Sequence, residues 1–167
     1  VLEIRGLGGY GFPILKATTI KPYLGIGYRY LNDDMSGRYT STNAFGYERE
    51  STYIYSPIGI EVITTLKNGW SVGAMLEYDY FWEGTQKSHL GWQPGYYDIE
   101  NDQEKGYGLR GSVEFRKKGE KLDFLIEPFI RYWNIEDSKI TTDPGGTSWK
   151  EPKNNSTEFG IKFAVKF

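Results

Sequence analysis

The sequence predicts an all-β fold: an antiparallel up-and-down β-barrel whose strands cross a membrane. Three observations predict it. Apolar and polar side chains alternate with period two along most of the chain, and the connections are alternately short and long. The composition is also rich in rings and glycine, with 14 Tyr, 9 Phe, 5 Trp and 21 Gly in 167 residues. Aromatic residues favour pleated strands. Membrane strands alternate because every second residue faces lipid, and their barrels carry short turns at one end and long loops at the other.

Composition excludes several function classes. The 20 basic and 22 acidic residues leave a formal charge of −2, without the basic excess of a general nucleic-acid binder, so no nucleic-acid partner is expected. The absence of Cys removes disulfides, thiolate metal sites and a Cys nucleophile, and a single His leaves little room for a histidine metal site. No metal or cofactor is expected. No run of about 18 apolar residues exists, so a transmembrane helix is excluded. A mean hydropathy of −0.56 does not count against a barrel with a polar interior. At this length residues 1–167 read as one barrel domain. No signal peptide is visible; an exported protein's leader would already have been removed.

The last segment, from Ser156 to Phe167, alternates most clearly. Phe159, Ile161, Phe163, Val165 and Phe167 share one face, and Glu158, Gly160, Lys162, Ala164 and Lys166 the other. Upstream, Phe124, Ile126, Pro128, Ile130 and Tyr132 alternate with Leu125, Glu127, Phe129, Arg131 and Trp133. Tyr107, Leu109, Gly111, Val113 and Phe115 alternate with Gly108, Arg110, Ser112, Glu114 and Arg116. The even residues from Trp70 to Trp82 alternate with Ser71, Gly73, Met75, Glu77, Asp79 and Phe81. Ile54, Ile58, Ile60, Val62 and Leu66 stand against Tyr53, Tyr55, Gly59 and Glu61, and Leu24, Ile26, Tyr28 and Tyr30 against Tyr23, Gly25, Gly27 and Arg29. The first segment sets Leu2, Ile4, Tyr10 and Phe12 against Glu3, Arg5 and Gly9.

Lys67-Asn68-Gly69 and Lys118-Gly119-Glu120-Lys121 read as hairpin turns. Gly11 to Lys21 reads as a somewhat longer turn containing Pro13. Long polar loops are expected from about Asn32 to Glu50, Glu83 to Lys105, and Asp143 to Asn155. This gives seven strands, whereas single-chain bacterial barrels have an even number. Eight are therefore expected, with an N-terminal strand missing from this sequence.

The strand charges collect on one face. The acids are Glu3, Glu61, Glu77, Asp79, Glu114, Glu127 and Glu158; the bases are Arg5, Arg29, Arg110, Arg116, Arg131, Lys162 and Lys166. On a lipid face near the midplane each would cost about 2–4 kcal/mol. Within a lumen opposite signs can pair. The interior of an eight-stranded barrel is about filled by side chains, so these charges read as packing rather than as an ion path or proton relay. Trp70, Tyr78, Tyr80, Trp82 and Tyr132 read as interfacial anchors.

The ending Phe159-Gly160-Ile161-Lys162-Phe163-Ala164-Val165-Lys166-Phe167 resembles the terminal strand of Gram-negative outer-membrane proteins. Pro22-Tyr23-Leu24-Gly25-Ile26-Gly27-Tyr28-Arg29-Tyr30 is similar to a second strand of the outer-membrane protein A-like eight-stranded barrels. The resemblance implies an integral outer-membrane protein with its long loops outside the cell. It implies contact with membrane lipid and lipopolysaccharide, and recognition of Phe167 by the barrel-assembly machinery. The family includes anchors, adhesins, resistance factors and some lipid-modifying enzymes, so it does not settle activity.

Candidate sites are few. His89 beside Ser88, with Asp98, Glu100 and Asp102 further along, has the residue types of a Ser–His–acid hydrolase. The ordinary reading is a solvated loop histidine. Asp33-Asp34 and Asp98 to Asp102 offer oxygen ligands for Ca²⁺, but neither matches the twelve-residue calcium loop, and solubility accounts for them. Trp82, Trp92, Tyr96 and Tyr97 form a candidate loop surface for an extracellular protein or glycan. The expected function is thus a non-enzymatic outer-membrane barrel serving as anchor, surface structure, adhesin or ligand binder. The alternatives are a small porin-like channel, a rim enzyme hydrolysing lipid or peptide, and a soluble lipocalin-type binder with the faces reversed.

Overall fold

The computed structural model describes residues 1–39, 41, 43 and 45–166, with Lys166 described by its backbone alone. Phe167, the expected assembly signal, and the Lys166 side chain lie outside the described residues.

The long strands are β1 (Leu2–Gly9), β3 (Thr18–Asp34), β4 (Glu48–Thr65), β5 (Trp70–His89), β7 (Gly106–Lys117), β8 (Asp123–Ile135) and β11 (Asn154–Lys166). They pair antiparallel in the order β1-β3-β4-β5-β7-β8-β11. Two short strands extend this sheet: β2 (Phe12–Leu15) pairs with β3, and β6 (Ile99–Gln103) with β5. A separate hairpin joins β9 (Thr141–Thr142) to β10 (Ser148–Trp149). The turn at Lys67–Gly69 is a 3-10 turn with Asn68 at φ 57° and Gly69 at φ 73°, positions that suit Asn and Gly.

The expected closed eight-stranded barrel is not what forms. Among the described residues no ladder joins β1 to β11, so the sheet is open and has two edges. Open edges leave backbone N–H and C=O groups unpaired, which hydrocarbon does not tolerate. The outer-membrane protein A-like resemblance is corrected on this point. With it fall the outer-membrane localisation, the contacts with membrane lipid and lipopolysaccharide, insertion by the barrel-assembly machinery, the anchor role and the porin-like channel. Among the described residues no helix is long and apolar enough to cross a membrane. Period-two alternation specifies which side chains share a face; it carries no information on whether the first and last strands meet.

Other departures are local. Gly11 to Lys21 is not a turn: β2 pairs with β3 around a tight turn at Lys16–Ala17. The loop expected from Glu83 is strand as far as His89, and β6 pairs back onto it from Gly84 to Ser88. Thr85, Gln86, Lys87 and Ser88 are polar on both faces, so no hydrophobic alternation marks them. A β-bulge at Trp82 leaves that residue unpaired between Ile54↔Glu83 and Tyr55↔Phe81. The extra residue switches the buried parity from Glu77, Asp79 and Phe81 to Gly84, Gln86 and Ser88.

The outer face carries apolar side chains that remain exposed, including Leu24, Ile26, Leu76, Phe159 (85%) and Phe163 (71%). The inner face carries the charges and the buried rings Tyr53, Tyr55, Phe81 and Trp133. A lipocalin-type interior would hold the apolar set; here that set lies outside. Three rings on the inner face lie over a glycine of the neighbouring strand in direct register: Tyr55 opposite Gly27, Tyr23 opposite Gly59, and Phe129 opposite Gly160. A Cβ at Gly27 would stand 2.2 Å from the Tyr55 ring, and one at Gly59 2.2 Å from Tyr23. Gly27→Val should therefore destabilise the fold by about 1–3 kcal/mol through overpacking. Gly111→Ala, whose Cβ would meet nothing closer than 3.6 Å, should cost less. Urea denaturation of the two variants checks the contrast.

Candidate binding surface

Eight of the expected inner-face charges form one connected network. Arg110 lies at its centre, hydrogen-bonded to Glu3, with Nε 2.7 Å from Asp79 and 3.1 Å from Glu77. Glu77 also takes Arg5 and the Tyr23 hydroxyl. Glu3 accepts from Tyr55 and stands 3.2 Å from Arg131, which lies 3.8 Å from Glu158, the partner of Arg29. These pairs join β1 to β7 and β8, and β3 to β11, so the sheet wraps around its own inner face. The remaining residues stand apart. Glu61 lies 3.9 Å from Lys21, Glu114 pairs with Arg116 at 3.0 Å, and Glu127 pairs with Lys162 at 2.6 Å.

The network separates its carboxyls electrostatically. Burial works to raise Glu3, but hydrogen bonds from Arg110 and Tyr55 outweigh it and hold the group at about 2. Burial pushes Asp79 up to about 6; Arg110 opposes the shift and neighbouring Glu77 adds to it. The guanidinium of Arg110 also stacks near the Tyr55 and Trp133 rings, 5.6 and 5.8 Å from their centroids. Alternation finds the network's charged members; the tyrosines that complete it, Tyr23 and Tyr55, carry no signal beyond their parity.

His89 occupies the end of β5. Its Nε2 is 2.9 Å from Glu50 and its Nδ1 3.8 Å from Asp98. Glu50 also accepts from Tyr30, and its hydrogen bond raises the imidazole's pKa. Ser88 is buried on the opposite strand face, so the sequence neighbours Ser88 and His89 point apart. Of the loop carboxylates, Asp34 accepts from the Ser36 N–H at 2.9 Å and Asp98 from the Gly91 N–H at 2.7 Å, which ties both into turns. Among the described residues no group of three His, Cys, Asp or Glu is placed to hold a metal.

The long-connection end gathers aromatic side chains, in a different grouping from the expected one. Trp82 stands apart on the outer face, donating to Ser56 Oγ at 2.9 Å and packing edge-on against Tyr80 at 5.2 Å. Trp92 packs edge-on against Phe45 at 6.4 Å, and Phe45 lies 4.9 Å from Tyr39. Tyr96 lies 6.4 Å from Trp149, and Tyr97 faces Gly145 in the β9–β10 turn. Tyr39, Phe45, Trp92, Tyr96 and Tyr97 all remain exposed. Tyr39, Phe45 and Trp149 were not legible as partners, because contacts between separate loops leave no periodic mark.

The β9–β10 hairpin and its junction with β6 are held by their own hydrogen bonds. Asp143 accepts from the Thr147 N–H at 2.8 Å and the Trp149 indole at 2.9 Å, which lowers its pKa. Asn101 Nδ2 donates toward Lys139 O at 3.3 Å, Thr141 Oγ1 at 3.2 Å and Trp149 O at 3.4 Å, fastening β6 to the β9–β10 hairpin. Lys139 N–H donates to Asp102 O at 2.8 Å. Trp149, the ring beside Tyr96, therefore rests on positioned backbone, and the Gly91–Asp98 hydrogen bond closes the loop that carries Trp92, Tyr96 and Tyr97. No protein-family model matches the sequence, and no curated protein matches it.

Proposed function

We propose that this chain is a non-catalytic recognition protein, a stiff β-sheet scaffold that presents aromatic loop residues to an external ligand. The observation that carries the reading is the exposed set Trp92, Tyr96 and Tyr97 on a loop closed by the Gly91–Asp98 hydrogen bond, with exposed Phe45 packed against Trp92 and Tyr39 against Phe45. Rigid rings supply contact area at low entropic cost, and exposed aromatic patches mark contact surfaces. A ligand with flat apolar faces suits them, either a saccharide ring or an aromatic peptide side chain. A non-catalytic role is supported by the pairing of His89 with Glu50, away from Ser88.

Tryptophan fluorescence during titration with an oligosaccharide panel and an aromatic-rich peptide panel tests this reading and separates the two ligand classes. At least one class should bind. Trp92→Ala and Tyr96→Ala should each weaken that binding about tenfold or more, as for anchor residues at contact surfaces. Binding unchanged in both variants, no binding from either panel, or turnover of a bound probe would overturn the proposal.

A further inference from the structure

The single histidine of the chain lies where the sheet hands over to the aromatic loop. β5 ends at His89 and β6 begins at Ile99, so the segment 90–98 that carries Trp92, Tyr96 and Tyr97 hangs between them. Ser88↔Ile99 is the last pair of the β5–β6 ladder, which leaves His89 and Asp98 at the mouth of the loop. On its other side His89 stands in register with Glu48 of β4, next but one to Glu50↔Lys87. The side chains form a row across the sheet. The Tyr30 hydroxyl donates to Glu50, and Glu50 lies 2.9 Å from His89 Nε2. His89 Nδ1 is 3.8 Å from Asp98 Oδ2, and Asp98 Oδ1 accepts from the Gly91 N–H at 2.7 Å.

Both ring nitrogens thus face a carboxylate. An imidazolium has two N–H donors, whereas a neutral imidazole has one donor and one lone pair. Only the protonated ring can serve Glu50 and Asp98 together. Without the proton, the Nε2 donor stays with the nearer Glu50, and the Nδ1 lone pair meets the Asp98 carboxylate, so attraction becomes repulsion. The surroundings favour the proton. The hydrogen bond to Glu50 raises the ring's pKa, burial opposes the rise, and the charges of Glu50, Glu48 and Asp98 add to it. The other charged groups nearby are engaged elsewhere. Lys87 lies 3.0 Å from Glu100, Glu48 accepts from the Asn32 amide at 2.7 Å, and Asp34, opposite Glu48 on β3, accepts from the Ser36 N–H. The imidazole is one-third exposed, so it exchanges its proton with solvent.

We propose that His89 is a proton-operated latch on the aromatic loop. Protonated, it ties Asp98, and through Asp98 the Gly91 end of the loop, to Glu50 on β4. Neutral, it releases Asp98, and Trp92, Tyr96 and Tyr97 lose their fixed base. The consequence for binding rests on the reading of these rings as the contact surface; the latch itself does not. The ring's pKa is raised in the folded chain, so the link is fully present below the ordinary value of 6.5 and is lost as pH rises through the raised one. The pair with Asp98 is exposed and therefore weak, so the loop responds to pH by a graded shift rather than by an all-or-none opening.

A single histidine makes the test direct, because its ring signals in NMR overlap with no other imidazole. The ring should titrate above 6.5 in the unaltered chain. Asp98→Asn should lower that midpoint while leaving an amide oxygen for the Gly91 N–H. Without any ligand, protection of the Gly91 amide, corrected for intrinsic exchange, should fall about twofold to fivefold as pH rises through the midpoint, the worth of an exposed ion pair. The fall should vanish in Asp98→Asn and in His89→Gln. Any oligosaccharide or aromatic peptide that binds the loop should lose affinity by a similar factor over the same range, and should not do so in His89→Gln. A ring titrating at or below 6.5, a midpoint unmoved by Asp98→Asn, or Gly91 protection that stays constant through the midpoint would overturn the latch. Affinity that ignores pH while Gly91 protection follows it would overturn the latch's control of binding. If neither ligand panel binds, the reading of the rings as a contact surface falls, and the ligand-free measurements still decide the latch.

Discussion

Arg110→Met should cost about 3–5 kcal/mol of stability at neutral pH, the loss typical of breaking one side of a buried ion-pair cluster. Arg110 is almost wholly buried and holds Glu3, Glu77 and Asp79 together. Removing it leaves these carboxyls in a low-dielectric site with little compensation. Arg5 would still reach Glu77, and Arg131 would still reach Glu3, so Asp79 would bear most of the penalty. The pH dependence follows from the direction of each shift. Asp79 already sits at about 6, above its ordinary value of 3.8, so the folded state binds the extra proton. Its contribution is most favourable in acid and is lost as pH rises from about 4 through 6. Glu3, held at about 2, contributes stability above its ordinary 4.5 that is lost as pH falls toward 2. In Arg110→Met the Glu3 contribution should shrink and the Asp79 type of dependence should grow. The variant should then be closest to the unaltered protein at pH 2 and below, where both carboxyls become protonated in either chain, and furthest from it above pH 6. Denaturant midpoints at constant m across that range measure this. Adding Asp79→Asn to Arg110→Met should restore part of the loss, because Glu77 keeps Arg5, Glu3 keeps Arg131 and Glu158 keeps Arg29, so no charge in the cluster is left unpaired. A loss under 1 kcal/mol for Arg110→Met at pH 7 would show that the network does not depend on its central cation.

That network also shows what the sequence makes legible. Strand side chains alternate strictly, so Glu77 and Asp79 must share a face with Phe81, and Arg29 with Tyr23. Parity thus separates the inner charges from Leu76, Tyr78 and Leu24 without coordinates. The same rule hides whatever is not periodic. The bulge at Trp82 changes the parity of β5 with no sequence mark, and Gln86 is buried where a polar loop was expected. The open sheet is invisible for a related reason: alternation along β1 and β11 is the same whether or not they pair. Inter-loop contacts such as Phe45 with Trp92 depend on where two hairpins lean. Glycine offers a partial signal, since Gly27 and Gly59 fall on the face that carries Tyr55 and Tyr23, where a ring needs floor space.

Trp133→Ala should destabilise the protein by about 3–5 kcal/mol, the range for truncating a fully buried large ring. Trp133 is 2% exposed and packs edge-on against Tyr55 at 5.1 Å and tilted against Tyr53 at 6.1 Å. The Arg29 guanidinium lies 5.6 Å from its ring centroid and that of Arg110 5.8 Å. Truncation removes apolar contact from the buried ring cluster and also strips two largely desolvated cations of a π partner. The indole already borders a cavity beside Arg29, so its removal enlarges a space that can admit water and collapses poorly. Trp133→Phe keeps a ring against Tyr55 and should recover more than half of the loss. Its missing N–H should matter little, because the indole nitrogen of Trp133 has no hydrogen-bond partner. Calorimetric unfolding of the two variants separates packing from polarity. Equal losses in Ala and Phe would place the stabilisation in the indole's full shape or its nitrogen, and no loss in either would mean that the sheet holds its curvature without the ring cluster.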